Sequence, residues 1–282
     1  MQCLKCPVCQ KELFLNEKRS GYICEKNHCY DIANKGYTNM LLANQKHSTH
    51  PGDSKEMIAS RVKFLELNYY SFLREEILKI IKKYSKNDKI FFCDLACGEG
   101  YYTNYLHSQL KQNYSIETIG IDISKYAIIE ACKKRNCQKL TQIEYFIGNL
   151  MNLPFMDNSF TFMLNCFALL DEKEFHRVLK NKGYFIRVLP DKDHLFGLKK
   201  QLYENVILNE MKEKTIKGFK LVEEIHIQKE IFLKNSEEIY NLFTMTPYYY
   251  KSKKESVDHL LTLKNLSTIA SFVLLVYQKE EI

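Results

Sequence analysis

Chemistry is concentrated first in the run Asp94-Leu95-Ala96-Cys97-Gly98-Glu99-Gly100, which closes a hydrophobic stretch and opens onto a helical pattern. Glycines at such a strand-to-helix turn let the backbone come close to a ligand. A second apolar run, Thr118 to Ile123, carries an acid, Asp122, 22 residues after Gly100. An acid placed there on the next strand can accept hydrogen bonds from both hydroxyls of a ribose. The combination implies a nucleoside-cofactor pocket at the carboxyl ends of parallel strands.

The charge of the turn selects among nucleoside cofactors. A dinucleotide site asks for a third glycine, and Thr103 stands in its place. Asp94 and Glu99 flank the turn and would repel a pyrophosphate. S-adenosylmethionine carries no phosphate; its ammonium and sulfonium are attracted by acids. The D-x-x-x-G-x-G pattern resembles the first motif of class I methyltransferases.

A second cluster has metal-ligand spacing. Cys6 and Cys9 form a C-x2-C pair, and after fourteen intervening residues Cys24 and His28 form a C-x3-H pair. Two such pairs close a tetrahedron around one zinc ion and leave no open position for water. Cys6, Cys9, Cys24 and His28 are therefore the expected ligands of a structural Zn2+. Cys3 and Cys29 stand close enough in sequence to replace one of them. The first 40 residues show little apolar periodicity, so a metal staple is what would hold them folded.

These residues need elements to position them. From residue 89 the pattern alternates, with strands over 90–95, 117–123, 143–148, 161–167 and 183–189 and helices near 101–111, 125–135 and 171–180. That rhythm predicts an open, mostly parallel sheet. A helix near 194–214 and two β-rich runs, 219–227 and 271–278, complete it. Upstream, a polar stretch over 45–54 reads as a connection, and a helix in one or two pieces runs from Lys55 to about Tyr84. The expected division is a zinc module over 1–45, a linker and helical segment over 46–88, and the cofactor domain over 89–282. No apolar run reaches the ~18 residues of a membrane helix, and the start lacks the build of a signal peptide, so a cytoplasmic chain with reduced thiols is expected. Residues 1–90 hold 16 Lys/Arg against 10 Asp/Glu, whereas the remainder is nearly neutral. A basic surplus beside a zinc module suits a polyanionic partner. Lys5, Lys11, Lys18, Arg19, Lys26 and Lys35 are the candidate phosphate contacts.

In this order, the zinc spacing, Pro51-Gly52-Asp53-Ser54, Arg61 with Phe64-Leu65, the run Gly98 to Thr103, Leu153-Pro154-Phe155 and Met245-Thr246-Pro247 resemble the RlmA family over nearly the whole chain. That family methylates N1 of a guanine in a hairpin of large-subunit (23S) ribosomal RNA. The resemblance implies an α/β class I methyltransferase (Rossmann-like) fold behind an N-terminal zinc-binding domain that grips RNA, and a homodimer. It places Asp94, Gly98 and Gly100 in the S-adenosylmethionine pocket, Asp122 on the ribose and Asn149 near the adenine. The chain departs from the family at Ala96, where glycine is usual, and over Asn165 to Leu170, where a Phe/Tyr-Ala-Pro run is usual. Methyl transfer is an in-line displacement that depends on alignment, and guanine N1 must also lose a proton. No catalytic base is named: Asp171 and His176 follow the fourth strand, but a helix cap and a surface histidine are the favoured readings of them. Phe167 and Tyr248 to Tyr250 are candidates to stack on a splayed base. Two other functions compete: methylation of a small molecule, which needs no phosphate grip, and noncatalytic RNA binding by a relative with a decayed pocket.

Overall fold

The computed structural model describes residues 3–45, 51–86, 88–210 and 214–281. Residues 46–50 of the expected connection lie outside the described residues. Near the N-terminus, β1 (Leu13–Leu15), β2 (Gly21–Cys24) and β3 (Cys29–Asp31) form a small antiparallel sheet. The next strand, β4 (Tyr37–Asn39), leaves that sheet and pairs in parallel with a strand far along the chain.

Two helices follow, α1 (Lys55–Glu66) and α2 (Ser71–Tyr84). Ser54 caps α1 by accepting a hydrogen bond from the Met57 amide at 3.2 Å. Left-handed Asn68 turns the chain between the two helices, so the expected helical stretch is in two pieces. The alternation then runs β5 (Lys89–Leu95), α3 (Tyr101–Leu110), β6 (Ser115–Asp122), α4 (Lys125–Cys137), β7 (Ile143–Ile147), β8 (Phe160–Cys166), α5 (Glu172–Val178), β9 (Leu179–Pro190) and α6 (Phe196–Leu202). The chain ends with β10 (Phe219–Leu233), α7 (Ser236–Thr244), α8 (Lys254–Thr262) and β11 (Leu266–Lys279). The main sheet has the order β10-β11-β9-β8-β5-β6-β7-β4, and only β11 runs antiparallel to its neighbours. The two β-rich runs read from sequence are the first nine residues of β10, which runs six residues further, and the later part of β11, and Ala270 to Tyr277 is buried throughout, as its apolar composition requires.

The expected helix over 194–214 is much shorter. It begins after Leu195, which is left-handed, and ends at Tyr203, which is extended. Lys199 Nζ donates to Asn209 Oδ1 at 2.7 Å and the Asn209 amide to Lys192 O at 3.1 Å, folding 203–210 back over the start of the segment. Positions 211–213 of that expectation lie outside the described residues. No described helix is long and apolar enough to cross a membrane.

Helices α2, α3, α6 and α7 pack through Leu73, Ile77, Leu106, Leu198, Leu242 and Phe243 on one face of the sheet. The other face is shared. Cys3, Leu4, Leu13, Tyr22 and Met40 of the N-terminal region join one core with Leu95, Ile121, Phe146, Phe155 and Phe175. The small module is thus stabilised by borrowed hydrophobic area as well as by its cysteines.

Candidate functional site: a cofactor turn and a metal cluster

Asp94 ends inside the sheet. It is 1% exposed, and Thr103 Oγ1 donates to its Oδ2 at 2.6 Å. Burial raises its carboxyl to about 7, against the Thr103 bond and with help from the nearby charges of Asp122 and Glu99. Three residues of the following turn are left-handed: Ala96 at φ 58°, Gly98 at 56° and Gly100 at 76°. The two glycines serve different ends. A Cβ on Gly100 would lie 2.7 Å from the Tyr145 hydroxyl and 3.0 Å from Ala131 Cβ, so packing requires that glycine. A Cβ on Gly98 would meet only Arg61 Nη1 at 3.7 Å, so the backbone there faces open space. Ala96 adopts the same sign of φ with a side chain, at a cost of about 1–2 kcal/mol.

At the end of β6, Asp122 Oδ2 accepts from the Gly98 amide at 2.9 Å and Oδ1 from the Ser124 amide at 2.8 Å. It therefore ties the glycine turn to the neighbouring strand. Its carboxyl is raised by burial, against the pull of those two amides and of Arg61. The Gly148 amide donates to Asp122 O at 3.0 Å, which sets Asn149 beside this turn. Asn149 Oδ1 accepts from the Met151 amide at 3.0 Å, bending the chain after β7.

The structure brings two further residues, Asp53 and Arg61, against the cofactor turn. Asp53 and Arg61 form an ion pair at 2.5 Å, and Ser124 Oγ donates to Asp53 O at 3.0 Å. The segment Pro51 to Ser54 thus lies against the turn after β6, with the Gly52 Cβ position only 2.9 Å from Ser124 Cβ. Arg61 stays firmly charged: burial opposes the charge, but Asp53, Glu99 and Asp122 outweigh it. Glu99 is 2% exposed, and its Oε1 has no hydrogen-bond partner among the described residues. The visible signal was the acid of Pro51-Gly52-Asp53-Ser54 followed, two helical turns on, by an arginine.

The metal-ligand spacing closes in space. The side-chain donor atoms of Cys6, Cys9, Cys24 and His28 all lie within 4.8 Å of one another. His28 Nδ1 is 3.6 Å from Cys6 Sγ and 3.4 Å from Cys24 Sγ, and the Cys9 and Cys24 sulfurs are 3.6 Å apart. Zinc–sulfur bonds of about 2.3 Å at tetrahedral angles put sulfurs about 3.8 Å apart, so the donor set fits one zinc ion. Each knuckle turns through a left-handed residue, Gln10 and Asn27 respectively. Burial opposes ionisation of Cys6, but bonds from the Tyr30 hydroxyl and the Cys9 and Val8 amides bring its thiol down to about 6. Cys3 is buried in the shared core, and Cys29 Sγ is exposed beside Asn27 O at 3.5 Å; neither belongs to the four-atom cluster. Leu153-Pro154-Phe155 is where the cluster docks: the Lys5 amide donates to Pro154 O at 2.9 Å and the Met156 amide to Cys3 O at 2.7 Å.

The region after β8 lies at the same carboxyl edge. Phe167 is 45% exposed and left-handed at φ 60°, held by its amide on Val188 O at 3.0 Å. Asn165 Nδ2 donates to Leu169 O at 3.0 Å and closes the loop that lacks proline. Asp171 caps α5 as expected, whereas His176 is half-buried and packs edge-on to Phe219 instead of lying on the surface. Tyr248 to Tyr250 form a 3-10 turn beside α1. There the Tyr249 hydroxyl donates to Glu56 Oε2 at 3.1 Å, while Tyr250 is exposed.

A parallel sheet in this order, a glycine turn after its central strand and an acid ending the next strand define a class I methyltransferase. Residues 85–246 match the methyltransferase-domain family model, and the chain belongs to that family. Residues 4–49 match the RlmA N-terminal zinc ribbon. Over 98% of this chain and 96% of its own length, a Bacillus subtilis protein assigned provisionally as the 23S rRNA (guanine-N1)-methyltransferase YxjB is 25% identical. The 23S rRNA (guanine(748)-N(1))-methyltransferase of Streptomyces fradiae is 26% identical over 69% of this chain and 66% of its own length. Among solved structures, a provisionally assigned methyltransferase from Bacillus halodurans superposes with a TM-score of 0.50 at 16% identity, over 73% of this chain and all of that one. That likeness concerns the fold alone.

Proposed function

We propose that this protein transfers the methyl group of S-adenosylmethionine to N1 of a guanine in a hairpin of 23S ribosomal RNA. The observation that carries the reading is the pairing of a matched RlmA zinc ribbon with a methyltransferase domain, a pairing that relatives named as 23S rRNA guanine-N1 methyltransferases match along the chain. When bound, the cofactor supplies a methyl group on a positively charged sulfur. Gly98 offers it an open backbone face, and Asp94 supplies the negative charge that its cationic end favours. Asp122 spends one lone pair of each oxygen on backbone amides and keeps the others for the ribose hydroxyls. Gly100 keeps the turn packed on Tyr145, and Asn149 borders the adenine.

Cys6, Cys9, Cys24 and His28 hold one zinc ion that fixes the module. Its exposed Lys11, Lys18, Arg19, Lys26 and Lys35 meet RNA phosphates. Phe167, half exposed beside the strand ends, stacks on the extruded base. The nucleophile is the N1 lone pair: a new N–C bond forms as the C–S bond breaks, and the N1 proton leaves to water. The expected partition at residues 45 and 88 and a homodimer complete the reading, which places the enzyme in the cytoplasm. The test is transfer of labelled methyl from S-adenosylmethionine by the purified chain to a 23S rRNA transcript. Digestion should return the label as N1-methylguanosine. Label on small acceptors with none on RNA would replace this reading with the small-molecule one.

A further inference from the structure

Two buried phenols border the place where β8 and β9 end. Tyr70, at the start of α2, is 3% exposed, and Tyr102, two residues past Gly100, is 9% exposed. Neither hydroxyl has a hydrogen-bond partner among the described residues. A buried hydroxyl left without a partner costs about 1–3 kcal/mol, so each of the two calls for an explanation. Tyr101 also has an unpartnered hydroxyl, but its ring lies under the Arg74 guanidinium at 5.0 Å, towards α2.

The surroundings of these two phenols lie at the methyl-transfer edge. The Tyr70 ring meets Phe272 edge-on at 5.0 Å, and Phe272 pairs with Pro190, the last residue of β9. Phe167, the residue after β8, lies 5.5 Å from the same Phe272 ring. Tyr102 has Cys166, the last residue of β8, and Glu99 of the cofactor turn among its charged and titratable neighbours, together with Tyr101 and Tyr70. Tyr70 faces His194 across 6.2 Å and has Tyr248 near its hydroxyl.

We propose that the hydroxyl groups of Tyr70 and Tyr102 bind the Watson–Crick edge of the extruded guanine, donating to its O6. The proposal rests on the guanine reading above and adds to it the groups that recognise the base. When N1 gives up its proton, negative charge spreads onto O6. A donor already aimed there stabilises that charge without reorganising. A neutral donor suits this position, because a lysine or arginine would be repelled by the sulfonium only a methyl group away. The local groups satisfy that requirement. Burial pushes both phenols upward, so they keep their protons. Burial also pulls His194 down to about 3, and its Nδ1 accepts from the Ser271 amide at 3.2 Å, so the imidazole is neutral.

The experiment uses the full-length chain, a 23S rRNA transcript and S-adenosylmethionine, with Tyr70→Phe and Tyr102→Phe made separately. Each change removes one oxygen from a packed ring. The expected result is a kcat lower by about 10- to 100-fold in each variant, the range for a lost hydrogen bond to a charged group. Cofactor affinity, measured by calorimetry, should stay within about two-fold, and zinc content should be unchanged. The rise of kcat with pH should move to higher pH in both variants, since the bound guanine loses its proton less readily without the donor. Wild-type activity on guanine, with both variants keeping the wild-type kcat and pH profile, would overturn this proposal and leave the guanine reading standing. A folded wild-type protein that methylates no guanine would overturn both.

Discussion

If Asp94 lines the cofactor pocket as proposed, it ties cofactor binding to pH. Its carboxyl is almost wholly buried and is raised from 3.8 to about 7. The difference, about 3 units, corresponds to about 4 kcal/mol between its two protonation states. Because the folded value lies above the unfolded one, the folded chain prefers the protonated acid. The contribution to stability is full below pH 4 and is lost as pH rises through about 7. A bound cation reverses the preference by stabilising the carboxylate, so cofactor binding and proton release are linked. Asp94 is mostly protonated at pH 6 and mostly ionised at pH 8, so affinity for S-adenosylmethionine should rise several-fold over that interval. Asp94→Asn keeps an acceptor for Thr103 and removes the titration. Calorimetric titrations of both proteins at pH 6, 7 and 8 decide the matter, because ionisation of the ligand's own amine is common to both and cancels in the ratio. The variant should bind more weakly and with a flatter profile. Without ligand it should be more stable than the parent at pH 8 and equal to it at pH 4. An identical pH slope in the two proteins would refute this coupling.

Metal analysis should find one zinc per chain, and a strong chelator or Cys24→Ser should expose the shared core and lower the melting temperature; substantially less than one zinc, or iron with labile sulfide, would exclude the four-ligand assignment. Ala96→Gly relieves about 1–2 kcal/mol of left-handed strain and gives back about 0.4–1 kcal/mol in chain entropy. Its melting temperature should therefore be equal or a few degrees higher, whereas a clear fall would show that the methyl group is needed for packing. Asp122→Ala removes the acceptor of the Gly98 and Ser124 amides as well as the proposed ribose contact. Cofactor affinity should fall by ten-fold or more, as for lost charge-assisted bonds of about 1.5–3 kcal/mol each; unchanged calorimetric affinity would place the ribose elsewhere.

The sequence was most legible where one physical requirement fixes spacing. Two thiol pairs that must reach one ion, and glycines that must turn left-handed, announce themselves without tertiary information. The strands of the parallel sheet were legible through their apolar runs. The helix over 194–214 was overestimated because periodicity does not register that Asn209 turns back onto Lys192. Long-range pairing was equally hidden: three residues, Tyr37 to Asn39, carry no mark of joining β7 more than a hundred positions later. That pairing also changes what a deletion would measure. Removing residues 1–45 would strip an edge strand and about a quarter of a core, so charge reversals at Lys18, Arg19 and Lys26 are the cleaner test of the RNA grip. The Asp53–Arg61 pair escaped because an acid in a turn and an arginine on a helix are common, and only the fold sets both against the glycine turn. The partnerless hydroxyls of Tyr70 and Tyr102 could not be read at all, since tyrosine in an aromatic-rich helix looks like ordinary packing.

The most direct measurement is mass mapping of methylated nucleotides in large-subunit RNA from cells with and without this protein. Loss of a single N1-methylguanosine from a 23S hairpin, restored by the wild-type chain but not by Asp122→Ala, is the predicted result. An unchanged set of 23S methylations in cells lacking the protein would contradict it.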